Sequence, residues 1–246
     1  ANNITLDGNG FTITGDGSGS GISLVEYNQT IIKNFAGINT FNRGIYLSAS
    51  SSNILNNITA NNNSNEGILL RKSSANNLLT NIIANSNGEQ GIYLFSSTYP
   101  GPNNNTFTNI TANSNILNGI YLASNSRNNT FNNITANSNA QNGIYLDLSS
   151  SNNTFNNITA NSNSQNGIYL YRSSNNNNFN NFNVWNSSTG GYPYSGVYVR
   201  ESSNNVFSSG YVNQSEYFGI LLYSLTGVVA SNNVFKDMWI NNTVGR

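Results

Sequence analysis

Nine carboxylates and nine basic side chains are spread over a chain of 246 residues that contains neither histidine nor cysteine. Imidazole bases, thiol nucleophiles and thiolate metal sites are therefore excluded, which leaves acid–base work to Asp, Glu, Lys, Arg or Tyr. The carboxylates are Asp7, Asp16, Glu26, Glu66, Glu89, Asp147, Glu201, Glu216 and Asp237. A glycosidase needs two of them flanking one cleft, roughly 5 to 10 Å apart, and no two stand out as such a pair. The densest group is Asp147, Arg172, Arg200 and Glu201, with Arg71, Lys72 and Tyr171 in matching positions of the same repeat. On layers about 4.8 Å apart, Arg172 and Glu201 become vertical neighbours. Asp147 and Arg200 fall two layers apart, too far to cooperate without a substrate between them. These four are the candidate catalytic residues. Glu66 and Glu89, with Arg43 below them, read as a surface ion-pair group contributing under about 1 kcal/mol.

What must position these side chains is a repeat. Gly-Ile-Tyr-Leu or a close variant returns with glycines at Gly21, Gly44, Gly67, Gly91, Gly119, Gly143, Gly167, Gly196 and Gly219, at spacings of 23 to 29 residues. A second column keeps step with it: Leu55, Leu79, Phe107, Phe131, Phe155, Phe179, Phe207 and Phe235. Ile58, Ile82, Ile110, Ile134, Ile158 and Phe182 follow three residues later. Two asparagine phases stand between, one from Asn53 to Asn233 and one from Asn57 to Asn181. A unit of this length cannot bury its apolar face alone, so successive units must stack and share a core.

Alternation sends Ile144 and Leu146 inward and Tyr145 outward. Phe155, Ile158 and Ala160 cannot share one face of a straight strand, so a corner is expected at Asn156–Asn157, where asparagine tolerates a left-handed backbone. Like amides stacked over one another can bond from layer to layer. The fold expected is all-β, a single-stranded right-handed parallel β-helix of about ten coils with three short strands each. Residues 1–246 read as one domain, and the opening at Ala1 without an apolar leader suits a mature or excised piece of a larger surface protein. The charges cancel, so neither nucleic acid nor an anionic membrane surface is attracted, and no apolar run is long enough to insert in a bilayer.

The segment Asn-Asn-Thr-Phe-Asn-Asn-Ile-Thr-Ala-Asn-Ser-Asn followed by Gly-Ile-Tyr-Leu, from Asn128 and again from Asn152, resembles the parallel β-helix repeats of the pectate-lyase-like superfamily. It is similar especially to the NosD-like and archaeal cell-surface arrays of that superfamily, and Ile4 to Ile13 looks like the usual first coil. Such a scaffold carries lyases, hydrolases, epimerases, adhesins and structural proteins, the enzymes often using calcium on polysaccharides. The copper association of the NosD-like name has no ligands here beyond Met238. No cofactor is expected; calcium could be held only by oxygen ligands, at Asp7 and Asp16 beside the glycine-rich turn.

Binding candidates are the outward tyrosines Tyr46, Tyr93, Tyr121, Tyr145, Tyr169 and Tyr198, expected as an exposed aromatic stripe for sugar rings or a protein surface. Insertions at 96–102, 187–194 and 225–230 add Tyr99, Tyr192 and Tyr194 on loops. Of the many Asn-X-Ser/Thr acceptors, Asn104, Asn128, Asn152 and Asn186 fall at exposed turns and are the expected glycosylation sites, whereas Asn133 and Asn157 are expected to be inaccessible in a ladder. The leading expectation is a non-enzymatic extracellular or cell-surface element: a spacer, sheath, filament or adhesive module that self-associates through its coil ends or lateral faces. The alternative is a polysaccharide-active enzyme or a carbohydrate-binding module on the same scaffold.

Overall fold

The computed structural model describes residues 2–187, 193–225, 227 and 229–241. Among them there is no helix, and nearly all strands fall into two long sheets. One has 11 strands and runs from Thr5–Asp7 to Trp239–Asn241; the other has 9 and runs from Ser20–Val25 to Phe218–Tyr223. A third, two-stranded sheet pairs Thr12–Thr14 with Gly37–Asn39 in the first coils. Each strand pairs in parallel with its counterpart one coil away: Phe131 with Phe155 and Phe155 with Phe179, Tyr121 with Tyr145 and Tyr145 with Tyr169. This is the expected parallel β-helix of about ten coils, a single continuous stack.

The strand Thr154–Thr159 shows how the repeat folds. Phe155 and Ile158 are both buried although three residues apart, because Asn157 between them has φ of 57° and turns the chain. The register steps over it, pairing Asn156 with Asn180 and then Ile158 with Phe182. The corner is thus one residue wide, and the two short runs it separates form one bent strand; Ile168–Leu170 is the third run of the coil. Asparagine suits the corner because its short polar side chain lowers the cost of left-handed backbone.

Phe107, Phe131, Phe155, Phe179 and Phe207 are fully buried and stack with centroids 4.5 to 5.0 Å apart. Each contributes about 2 kcal/mol or more through burial, and ring contacts add to that. Isoleucines and leucines of the other sheet close the core, with Ile120, Ile144, Ile168 and Val197 in one column.

Two asparagine ladders run inside. In the first, Asn53, Asn77, Asn105, Asn129, Asn153, Asn177 and Asn205 are buried, and each bonds the next through its backbone and side-chain N–H groups. The second, Asn63 through Asn87, Asn115 and Asn139 to Asn163, lies beneath the glycine column. A Cβ on Gly143 would stand 2.7 Å from the Asn163 amide nitrogen, which is why the Gly-Ile-Tyr-Leu strand opens on glycine.

Candidate functional sites

The tyrosines of the 9-stranded sheet do stack. Tyr93, Tyr121, Tyr145, Tyr169 and Tyr198 lie 4.7 to 4.8 Å apart, with neighbouring planes within 16°. The stripe is not the open platform expected, however. Each ring covers its neighbour's face, Tyr198 is buried and the others are half-buried. Leu69, buried in the same column, separates Tyr46 from the stack. Edges and hydroxyls rather than ring faces meet solvent. Burial, with Asp147 adding to it, holds the phenols of Tyr93, Tyr121 and Tyr145 well above their ordinary 10.0.

Asp147 sits beside these hydroxyls and is fully buried. One carboxylate oxygen accepts from Arg172 Nε at 2.7 Å and from the Leu148 amide at 2.8 Å; the other meets Arg172 Nη2 and the Tyr121 hydroxyl. The Arg172 and Glu201 backbones are vertical neighbours, as expected. Their side chains are not paired: Arg172 reaches down one coil to Asp147, while Glu201 accepts from Arg200. The physical reason is burial, because an enclosed carboxylate without a cation would cost several kcal/mol. Arg172 and Arg200 both lie over the Tyr171 ring, at 4.8 and 4.5 Å. The cluster is thus a set of satisfied pairs, with Asp147 occupied on both oxygens.

Glu66 is buried and paired to Arg43 at 2.9 Å, and burial pushes its carboxyl up. Glu89 does not sit above it; Gln90 takes that place in the backbone ladder. Asp7 accepts from the Asn9 amide and Asn34 and faces Lys33, whereas Asp16 accepts from Ser18. These bonds lower both carboxyls, the amide of Asn9 leading for Asp7 and the Ser18 hydroxyl for Asp16. Among the described residues no three His, Cys, Asp or Glu side chains converge on a metal-sized site.

Beside the tyrosine sheet the 96–102 insertion closes a groove of about 470 Å³. It is lined by Ser96, Ser97, Thr98, Tyr99, Ser124, Asn125, Leu148, Ser149, Arg172 and Ser173. Tyr99 is 75% exposed and Leu148 39%, so two apolar surfaces stand among hydroxyls and an amide. Arg172 brings no net charge, being matched by Asp147. Tyr194 is half-buried, and Tyr192 lies outside the described residues. Of the acceptor asparagines, Asn104, Asn128 and Asn152 are exposed and Asn186 is half-buried. Asn133 and Asn157 are exposed too, contrary to expectation: their ladder runs along the outside of the corner.

The family model described as the right handed beta helix region matches residues 1–100 and 81–195. The chain belongs to this family. No curated protein matches it in sequence. Solved β-helices share its fold. The catalytic domain of a GH87 alpha-1,3-glucanase in complex with nigerose superposes with a TM-score of 0.74 at 18% identity, over 92% of this chain and 46% of that one. The periplasmic alginate epimerase AlgG gives 0.69 at 16%, over 87% and 51%. The A-module of the Azotobacter vinelandii mannuronan C-5 epimerase AlgE6 gives 0.65 at 16%, over 89% and 58%. This β-helix therefore spans about half the length of those chains, and at such identity the likeness is one of fold.

Proposed function

We propose that this β-helix is a polysaccharide-binding module whose site is the groove beneath the 96–102 loop. The observation that carries this reading is the exposed Tyr99 and Leu148 standing among seven hydroxyl or amide side chains in one concave surface. Sugar rings offer apolar C–H faces edged by hydroxyls, and such a lining matches both. The similarity in fold to the β-helices of a glucanase and of alginate epimerases supports a saccharide ligand. Asp147 is committed to Arg172, so binding rather than bond cleavage is what the groove offers. Calorimetric titration with neutral and uronate oligosaccharides tests this. Tyr99→Ala should weaken binding about tenfold, whereas Tyr121→Ser, in the stacked row, should alter it little. Saccharide affinity that is untouched by Tyr99→Ala would reject the site. Release of reducing or unsaturated ends from the same polysaccharides would make the protein an enzyme instead.

A second reading, an extracellular structural spacer, is favoured by the buried ladder that runs unbroken from Asn53 to Asn233 and stiffens the rod. On that reading Asn104, Asn128 and Asn152 carry glycans at exposed turns, and intact-mass measurement of native protein would show added hexose.

A further inference from the structure

The outer corner forms a second groove, on the opposite sheet from Tyr99. Asn81, Asn109, Asn133, Asn157 and Asn181 are bonded amide to amide at 2.8 to 3.0 Å and are all exposed. A primary amide has two N–H donors and two acceptor lone pairs. The ladder uses one of each at Asn109, Asn133 and Asn157, so each of these rungs presents one donor and one acceptor to solvent at the coil repeat. Across the bend runs a parallel row: Thr111, Thr135, Thr159, Asn183, Tyr211 and Trp239. The space between them opens to about 660 Å³ over Asn157, Asn181, Ser209 and Asp237. The same corner opens again near Asn34 and Asn57, to about 370 Å³.

At the C-terminal end of this groove the chemistry changes. Tyr211 and Trp239 stack at 4.4 Å, and Trp239 remains 51% exposed. Asp237 occupies the left-handed corner position, with φ of 52°, that asparagines hold in earlier coils. Among the described residues it is the only charged one lining the groove.

We infer that this corner is a second binding site, for an uncharged linear glycan lying along the helix axis. A periodic, open-ended row of donors and acceptors suits a polymer of hydroxyl-bearing units rather than a compact ligand. The Trp239–Tyr211 stack offers one of those units an apolar face. Asp237 selects against uronate chains by like-charge repulsion. The site is separate from the Tyr99 groove and would stand if that groove bound nothing.

The test is titration of Tyr99→Ala protein, in which the first groove is weakened about tenfold, with neutral gluco-oligosaccharides of graded length and with oligouronates. Affinity should rise with glucan length, and oligouronates should bind at least about tenfold more weakly. Adding Trp239→Ala should lower glucan affinity about tenfold. Asn157→Gly with Asn181→Gly, which removes two rungs yet keeps a residue at ease with positive φ, should do the same while circular dichroism stays unchanged. Asp237→Asn should narrow the gap to oligouronates. Glucan affinity that ignores length, that survives both the tryptophan and the asparagine changes, or that is absent altogether would overturn the inference.

Discussion

The buried and the exposed asparagine ladders are made of the same residue at the same spacing, yet they do different things. Asn153 Oδ1 accepts from the backbone and side chain of Asn129, and its amide donates to Asn177 and to Ser126 O. Every donor and acceptor is consumed inside the protein. Asn157, four residues later, bonds only Asn133 and Asn181, leaving half of its capacity to water or a ligand. Burial decides the difference: an unmade bond is costly in the core and nearly free at the surface. A ladder becomes stabilising where it is enclosed and available for recognition where it is not.

Four experiments probe that contrast. The largest effect is expected at the enclosed ladder, where Asn153→Ala strands an amide N–H, a side-chain donor and a carbonyl, and should cost about 3 kcal/mol in chemical denaturation. Next comes the tyrosine stack, whose phenols are half enclosed. Burial raises Tyr93, Tyr121, Tyr145 and Tyr169 above 10.0, so the folded state holds their protons longer than the unfolded one. Their contribution is complete below 10.0 and is lost as pH rises past it. A denaturation series above that pH should show falling stability, with these phenols ionising only on unfolding, as followed by ultraviolet absorbance. Asp147→Asn should cost about 1 to 2 kcal/mol, because Arg172, 45% exposed, can turn to solvent once its carboxylate is gone. The smallest change in stability, under about 1 kcal/mol, is expected for Asn157→Gly in the exposed ladder. If Asn157→Gly destabilised as much as Asn153→Ala, the contrast between the two ladders would fail.

Much of this was legible in the residues. The Phe155, Ile158 and Ala160 spacing demanded a bend, and asparagine was the residue able to make it, so the coil could be drawn without coordinates. The column that joins Asp147, Tyr171 and Arg200 could be placed as well. The partners chosen within that column could not, because Arg172 is long enough to reach either Asp147 or Glu201 and spacing is indifferent between them. The Tyr211, Asp237 and Trp239 groove escaped notice for a related reason. Its one signal was an aspartate and a tryptophan replacing asparagine and threonine in the last repeats, and the pattern does not say that those rows face each other across a concave bend.

Sequence alone determined the layered winding, the identity of the core columns and the existence of ladders, since periodicity of 23 to 29 residues with apolar and amide phases admits no other way to bury them. Only the tertiary structure decided which amides are enclosed, which ring faces are covered and which carboxylates already hold a cation. Those outcomes depend on distances between coils and on the hand of each corner, and such quantities arise only when the whole stack is assembled.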